Sequence, residues 1–164
     1  MLRPLCCAAW ILLSPCGHSA QRLAILDFEA NDLTSLPNTP AEVTRTGSIR
    51  PLLEQALSQG SDIEIVKIAP ERQAEANAGF GYLFRYADQA AKLGRAAGAD
   101  WVLVGQHSKP SFLFSYLIGD LVNVNTETAA FRFDIELKGN HRKVTERGVA
   151  ALADKIKQAL AKHY

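Results

Sequence analysis

WVLVGQHSKPSFLFSYLIGDLVNV, residues 101–124, is the most apolar part of this chain after its first twenty residues. Taken as one block it suggests a membrane segment, but the physical lengths do not allow that. The uninterrupted stretch 111–119 would reach only about 14 Å as a helix, against a hydrocarbon core of roughly 30 Å. Asp120 would add about 3 kcal/mol of insertion cost. Division at Lys109-Pro110 gives two strands instead. Residues 101–105 contain no polar side chain, which suits a strand covered on both faces. Beyond Ser111 the side chains separate by parity. Phe112, Phe114, Tyr116, Ile118, Val122 and Val124 form a bulky face, while Ser111, Ser115, Gly119 and Asn123 alternate with them beside Leu113, Leu117 and Leu121. Asp120 interrupts the bulky face, and Gly119-Asp120 is the expected position of a bulge.

Residues 125–128 supply a turn. Ala129, Phe131, Phe133, Ile135 and Leu137 then alternate with Arg132, Asp134, Glu136 and Lys138, which predicts a strand with one face in water. From about Val144, the spacing of Val149, Leu152, Ile156 and Leu160 predicts a long terminal helix. Toward the amino end, residues 22–28 read as a buried strand and residues 29–38, rich in Asn, Asp, Ser, Thr and Pro, as a loop. Thr39-Pro40-Ala41-Glu42 reads as a helix start in which Thr39 and Glu42 cap each other reciprocally. Pro51 requires a break near Gly47-Ser48, with Ser48 capping a second helix that turns Ile49, Leu52, Leu53, Ala56 and Leu57 to one face. Residues 63–68 alternate as a strand, residues 70–78 form a short helix, and Asp88 begins a helix of small residues suited to close packing. The pattern predicts the α/β (α+β) class: one mixed sheet of about five strands, parallel through its early crossovers and an antiparallel meander at its end, packed by helices. No repeat or linker divides residues 21–164, which are expected to form one domain.

Residues 1–20 carry Arg3, an apolar run from Leu5 to Leu13, and Ser19-Ala20 at the end. This is the layout of a secretory signal peptide, with cleavage expected after Ala20 and a periplasmic or secreted destination. A second reading makes Cys16 a lipidated first residue, but Pro15 stands where such signals carry a small side chain. Cys6, Cys7 and Cys16 all lie in this leader, so the mature chain has no cysteine for disulfides, thiolate catalysis or zinc. Of 18 basic residues only Arg3 is lost with the leader, leaving 17 against 17 acidic ones. A neutral domain lacks the electrostatic footprint of a nucleic-acid binder. Arg142, Lys143, Arg147, Lys155, Lys157 and Lys162 make the carboxyl-terminal part locally basic, as a solvated helix face or a weak patch for anionic headgroups or an acidic partner.

The stretches RLAILDFE (22–29), GRAAGADWVLVGQHSK (94–109) and LVNVNTET (121–128), with the closing helix, resemble a family of bacterial secreted proteins of unknown function, the DUF2380/DUF3280 type. More distantly, LAILDF and GADWVLVG resemble the periplasmic domains of the TolB amino-terminal and CsgG type. The resemblance implies a binding or assembly role at the cell envelope and brings no catalytic motif with it.

Three groups of side chains are candidates for chemistry. Asp27, Glu29 and Asp32 gather where the first strand runs out, with His107 at another strand end, a place where parallel-sheet proteins bind ligands. Their spacing matches no calcium loop, and no metal or cofactor is expected. His107 with Asp120 or Ser115 offers a hydrolase arrangement, although no Gly-x-Ser-x-Gly elbow accompanies it. His141 and His163 are isolated and have no metal-ligand spacing. Phe80, Tyr82, Phe84 and Tyr86, with Phe112, Phe114 and Tyr116, supply either core or an apolar surface for a ligand or partner. The expected function is a non-enzymatic module that contacts a protein partner of an envelope, transport or secretion system. A small-molecule carrier or sensor with an aromatic-lined pocket is the alternative, and a hydrolase using His107 and Asp120 a further one.

Overall fold

A computed structural model describes residues 20–60, 62–139 and 141–162. The leader expected over residues 1–20 and the positions of Cys16 and His163 therefore lie outside the described residues, apart from Ala20. Strands β1 (Gln21–Ile25) and β2 (Glu29–Asp32) are followed by helices α1 (Pro40–Gly47) and α2 (Ile49–Ser58). Then come β3 (Ile63–Val66), α3 (Pro70–Ala76), the single turn α4 (Tyr82–Arg85) and α5 (Ala87–Ala97). The long strands β4 (Trp101–Lys109), β5 (Phe114–Asn123) and β6 (Thr128–Lys138) lead into α6 (Arg142–Ala161).

The sheet has the order β3-β1-β4-β5-β6, with β2 also paired to β4. β1 runs parallel to both β3 and β4, whereas β4, β5 and β6 are antiparallel neighbours. The mixed sheet and its terminal meander are as the sequence pattern predicts, with one strand more than the five expected. The additional strand is β2, in a segment whose composition reads as loop. β1 pairs Ile25 with Leu103 and β2 pairs Glu29 with Gln106, so four steps on one chain match three on the other. One residue is inserted between them. This bulge reverses the facing of the side chains, and polar Glu29-Ala30-Asn31-Asp32 can continue the sheet because its ladder needs only backbone groups.

Each face of the sheet meets a different helical layer. Odd-numbered Leu23, Ile25, Trp101, Leu103, Leu117, Leu121, Phe133, Ile135 and Leu137 pack with Ile49, Leu53 and Leu57 of α2 and with the stripe from Val149 to Leu160 on α6. On the other face, Ala24, Leu26, Val102, Val104, Val122 and Val124 pack with Leu83, Ala90 and Ala91. Gly94 lets α5 approach Val102 and Val124, since a Cβ there would occupy the space of Val102. Ser48 departs from expectation. Its hydroxyl donates to the Arg45 carbonyl at 2.7 Å instead of capping α2, and Pro51 is accommodated because it falls in the first turn.

The bulge brings Phe28 onto the first face, directly over Gly105, where a Cβ would collide with its ring. Gly105→Ala is expected to lower stability by about 1–3 kcal/mol through overpacking. Urea denaturation measures the loss, and adding Phe28→Leu should recover part of it.

Candidate functional site

At the end of the sheet marked by Lys109, the inward face of β4 and β5 changes from aliphatic to polar. His107, Lys109 and Ser115 point to the side where α1 crosses, and they meet Glu42, Arg45 and Thr46 of that helix and Thr145 of α6. All seven residues are buried. The Lys109 ammonium lies 2.8 Å from one Glu42 oxygen, and Arg45 lies 3.6 Å from the other. Arg45 also donates to Thr145 Oγ1 at 2.8 Å and to the Gly139 carbonyl at 3.2 Å. The Thr39 hydroxyl accepts from the Glu42 amide at 3.4 Å, so half of the capping box forms. The Glu42 carboxylate is drawn inward to the two cations, because a buried cation without a counter-charge is far more costly than an open helix end.

His107 Nδ1 stands 2.8 Å from Thr46 Oγ1 and its Nε2 stands 3.0 Å from Ser115 Oγ. Burial, assisted by the positive charge of Arg45, lowers its pKa from 6.5 to about 4, against the opposing influence of Glu42. The imidazole is therefore neutral and fixed between two hydroxyls. Asp120 occupies the other face of the sheet, with Oδ2 3.7 Å from Arg132 and Oδ1 buried without a hydrogen-bond partner. Burial raises its pKa, Arg132 opposes the shift and Asp134 reinforces it. The expected His107–Asp120 pair is thus corrected: a sheet separates the two groups. His107 does meet Ser115, but both are buried and held by structural partners.

The acidic group at the end of the first strand is likewise distributed. Asp27 pairs with Arg50 at 3.4 Å, and its backbone exchanges hydrogen bonds with the Gln73 amide. Glu29 accepts from Asn77 Nδ2 and from the Gly81 amide, each at 2.8 Å. Burial disfavours the charge on Asp32, but donors on Thr34 and Asn38 and the charge of Lys109 hold its carboxyl below the usual range. Among the described residues no group of three His, Cys, Asp or Glu side chains could hold a metal ion. His141 lies exposed before α6.

The seven aromatic candidates divide among three places. Phe80 and Tyr86 are exposed around α4, with Tyr86 and Tyr82 rings 4.9 Å apart. Phe112 is exposed in the β4–β5 turn, under the Lys109 ammonium at 5.5 Å. Phe84, Phe114 and Tyr116 lie on the second face of the sheet. Phe84 stacks beneath the Arg132 guanidinium at 5.1 Å, and Phe114 meets Tyr116 edge-on at 5.9 Å. The core under α5 includes Val122 and Val124 but not Ile118, Tyr116 or Phe114, which remain half-buried. A groove of about 500 Å³ does exist, but elsewhere. Ala41, Arg45, Pro51, Leu52, Arg142 and Thr145 line it with three neighbours, and none of the seven aromatics does. No helix among the described residues is long and apolar enough to cross a membrane.

Arg45, Thr46 and Thr145 carry no signal of their own in the sequence, and Glu42 and Lys109 read there only as a helix cap and a strand boundary. The signal for the cluster was parity: His107, Lys109 and Ser115 share the core-facing parity of Leu103 and Leu117, and such a polar end to an apolar face demands polar partners.

These features define an α/β module with one fully covered sheet face, one partly open face, and a buried polar cluster that serves the fold. Residues 21–156 match the family described as "Protein of unknown function (DUF2380)", and the chain belongs to that family. No curated protein is significantly similar to the chain in sequence. Among solved structures, the fold is similar to that in the PelC dodecamer from Paraburkholderia phytofirmans, with a TM-score of 0.56, 13% identity, and 87% of this chain and 91% of that one covered. TolB from Acinetobacter baumannii gives a TM-score of 0.53 at 18% identity over 86% of this chain, which corresponds to 28% of TolB. A lipoprotein from Neisseria meningitidis gives 0.51 at 13% identity over 82% of this chain and 95% of that one. At these identities the likenesses concern the fold.

Two stability measurements test the polar cluster. Lys109→Met leaves the buried Glu42 carboxylate with Arg45 alone at 3.6 Å and should cost about 3 kcal/mol in urea denaturation. His107 is depressed in the folded state, so its contribution is present above the unfolded pKa of 6.5 and lost as pH falls toward 4. The wild type should lose about 3 kcal/mol over that window from this group, and His107→Gln, less stable at neutral pH, should show a flatter profile.

Proposed function

We propose that this chain is a non-catalytic module of the cell envelope that binds a protein partner through the open part of its second sheet face. The observation that carries this reading is the position of Phe114, Tyr116 and Ile118 on a strand surface that the α5 core does not include, with Phe84 of α4 at the border of that core. Half-buried aromatic rings on a rigid sheet offer large contact area at small ordering cost, as partner-binding surfaces require. Arg132 and Asp120 add a polar anchor, and the charged side chains Asp134 and Glu136 supply a rim.

The envelope assignment is supported by the leader pattern of residues 1–20 and by fold similarity to a protein titled a lipoprotein and to TolB. A non-catalytic role is supported by the condition of the polar groups. His107, Ser115 and Thr46 are enclosed, and Asp27, Glu29 and Asp32 are each engaged by separate protein donors.

A photo-crosslinking residue at Tyr116, used in intact cells at native abundance, is expected to capture one defined protein species. Phe114→Ser or Ile118→Ser should reduce that product several-fold without altering the amount of folded protein. A protein that stays alone, or a product unaffected by either substitution, would contradict the reading.

A further inference from the structure

The end of the sheet beyond Lys109 displays a different surface. The Leu33 amide donates to the Lys109 carbonyl at 3.0 Å, and the Gly139 amide donates to the Leu113 carbonyl at 2.8 Å. The loop after β2, the β4–β5 turn and the end of β6 therefore lie side by side across three strand spacings, roughly 14 Å. Leu33, Leu36, Phe112 and Leu113 stand on this edge at 66%, 64%, 54% and 77% exposure. They account for four of the seven large apolar residues exposed among the described residues.

The loops that carry them are tied down. Asp32 accepts from the amides of Thr34 and Asn38, each at 3.1 Å, and Ser111 Oγ accepts from the amides of Leu113 and Phe114 at 3.2 and 3.4 Å. The apolar side chains are thus presented outward by ordered turns, and little ordering remains to be done on docking.

Behind the edge the accessible charge is positive. Lys138, in register with Phe114, and Arg142, at the start of α6, expose 82% and 88% of their side chains, and Lys143 is exposed beside them. The carboxylates Glu136 and Glu146 that approach Lys138 and Arg142 are less exposed, at 45% and 39%. Asp32 is occupied by its loop, and Glu42 is buried against Lys109. Single apolar side chains projecting from fixed loops, with Lys138 on one side of the sheet end and Arg142 on the other, match a bilayer in which acyl chains lie below anionic headgroups.

We propose that this edge, formed by Leu33, Leu36, Phe112 and Leu113 and backed by Lys138, Arg142 and Lys143, seats the protein on a membrane surface containing anionic phospholipid. The sheet then stands on its end, and the aromatic face remains free to one side.

Vesicle flotation tests this with the protein as isolated from cells after processing, wild type and variants being matched in their amino-terminal residue by mass spectrometry. The protein should float with phosphatidylcholine vesicles that contain about one quarter phosphatidylglycerol, less with phosphatidylcholine alone, and less again in about 0.5 M salt. Phe112→Ser with Leu113→Ser should reduce the bound fraction about tenfold at unchanged melting temperature, as should Lys138→Glu with Arg142→Glu. No preference for the anionic vesicles, or wild-type binding by both double variants, would overturn the proposal. So would a dimer in sedimentation that the Phe112/Leu113 substitutions dissolve, because a second copy would then be the occupant.

Discussion

The ion pair between Lys109 and Glu42 anchors the polar end of the covered sheet face. It joins the last residue of β4 to the first turn of α1 in a place where neither charge reaches bulk water. Charges so buried need compensating partners, and Glu42 Oε2 has no hydrogen bond and relies on the Arg45 charge at 3.6 Å. That requirement draws in Arg45, which in turn holds Thr145 and the Gly139 carbonyl and so ties α1 to the beginning of α6 and the end of β6. One face of the sheet is thereby closed along its whole length, by aliphatic packing under α2 and α6 and by polar contacts under α1. The surfaces left open are the second face beyond α5 and the loop edge itself.

Much of the fold was legible in the sequence because period and parity are local signals. The alternation at residues 129–137 gives β6 with its wet face, and the stripe from Val149 to Leu160 gives α6. The two faces of β5 were separated correctly, but their roles were open. The structure makes the face of Leu117, Gly119 and Leu121 the core, since α2 and α6 interdigitate with leucines there, and leaves the aromatics half-buried. No local rule decides which face the larger helical layer will choose. β2 was illegible for a related reason: its partner β4 is more than seventy residues away, and its side chains contribute little to the pairing.

The candidate site shows where spacing misleads and where it could have sufficed. Thr39 and Glu42 have capping-box spacing, yet the carboxylate answers to a lysine 67 residues further along the chain, and no local motif encodes that distance. His107 and Asp120 are a different case. In the β4–β5 register, positions that face each other have the same parity, and these two do not. His107 stands opposite Leu117 and Val104 opposite Asp120. The register of the hairpin therefore excludes the pair, and it assigns Lys109 and Ser115 to the side of His107.

The edges of the sheet constrain how recognition can proceed. β3 closes one side with four residues, whereas β6 leaves an eleven-residue strand at the other. A long free edge invites strand addition, which natural sheets discourage with charged side chains. β6 carries Arg132, Asp134, Glu136 and Lys138 on its open face, and all four are exposed. A strand laid along this edge would bring its own side chains beside that row, so generic pairing is disfavoured. Arg132 also leans back over Phe84 toward Asp120 and joins the edge to the aromatic face. Contact through side chains on the face, not through the backbone at the edge, is the mode of recognition that this arrangement favours. On the proposed reading, specificity rests on the few aromatic and charged groups beside Tyr116 and Arg132, because the main-chain ladder contributes none of it.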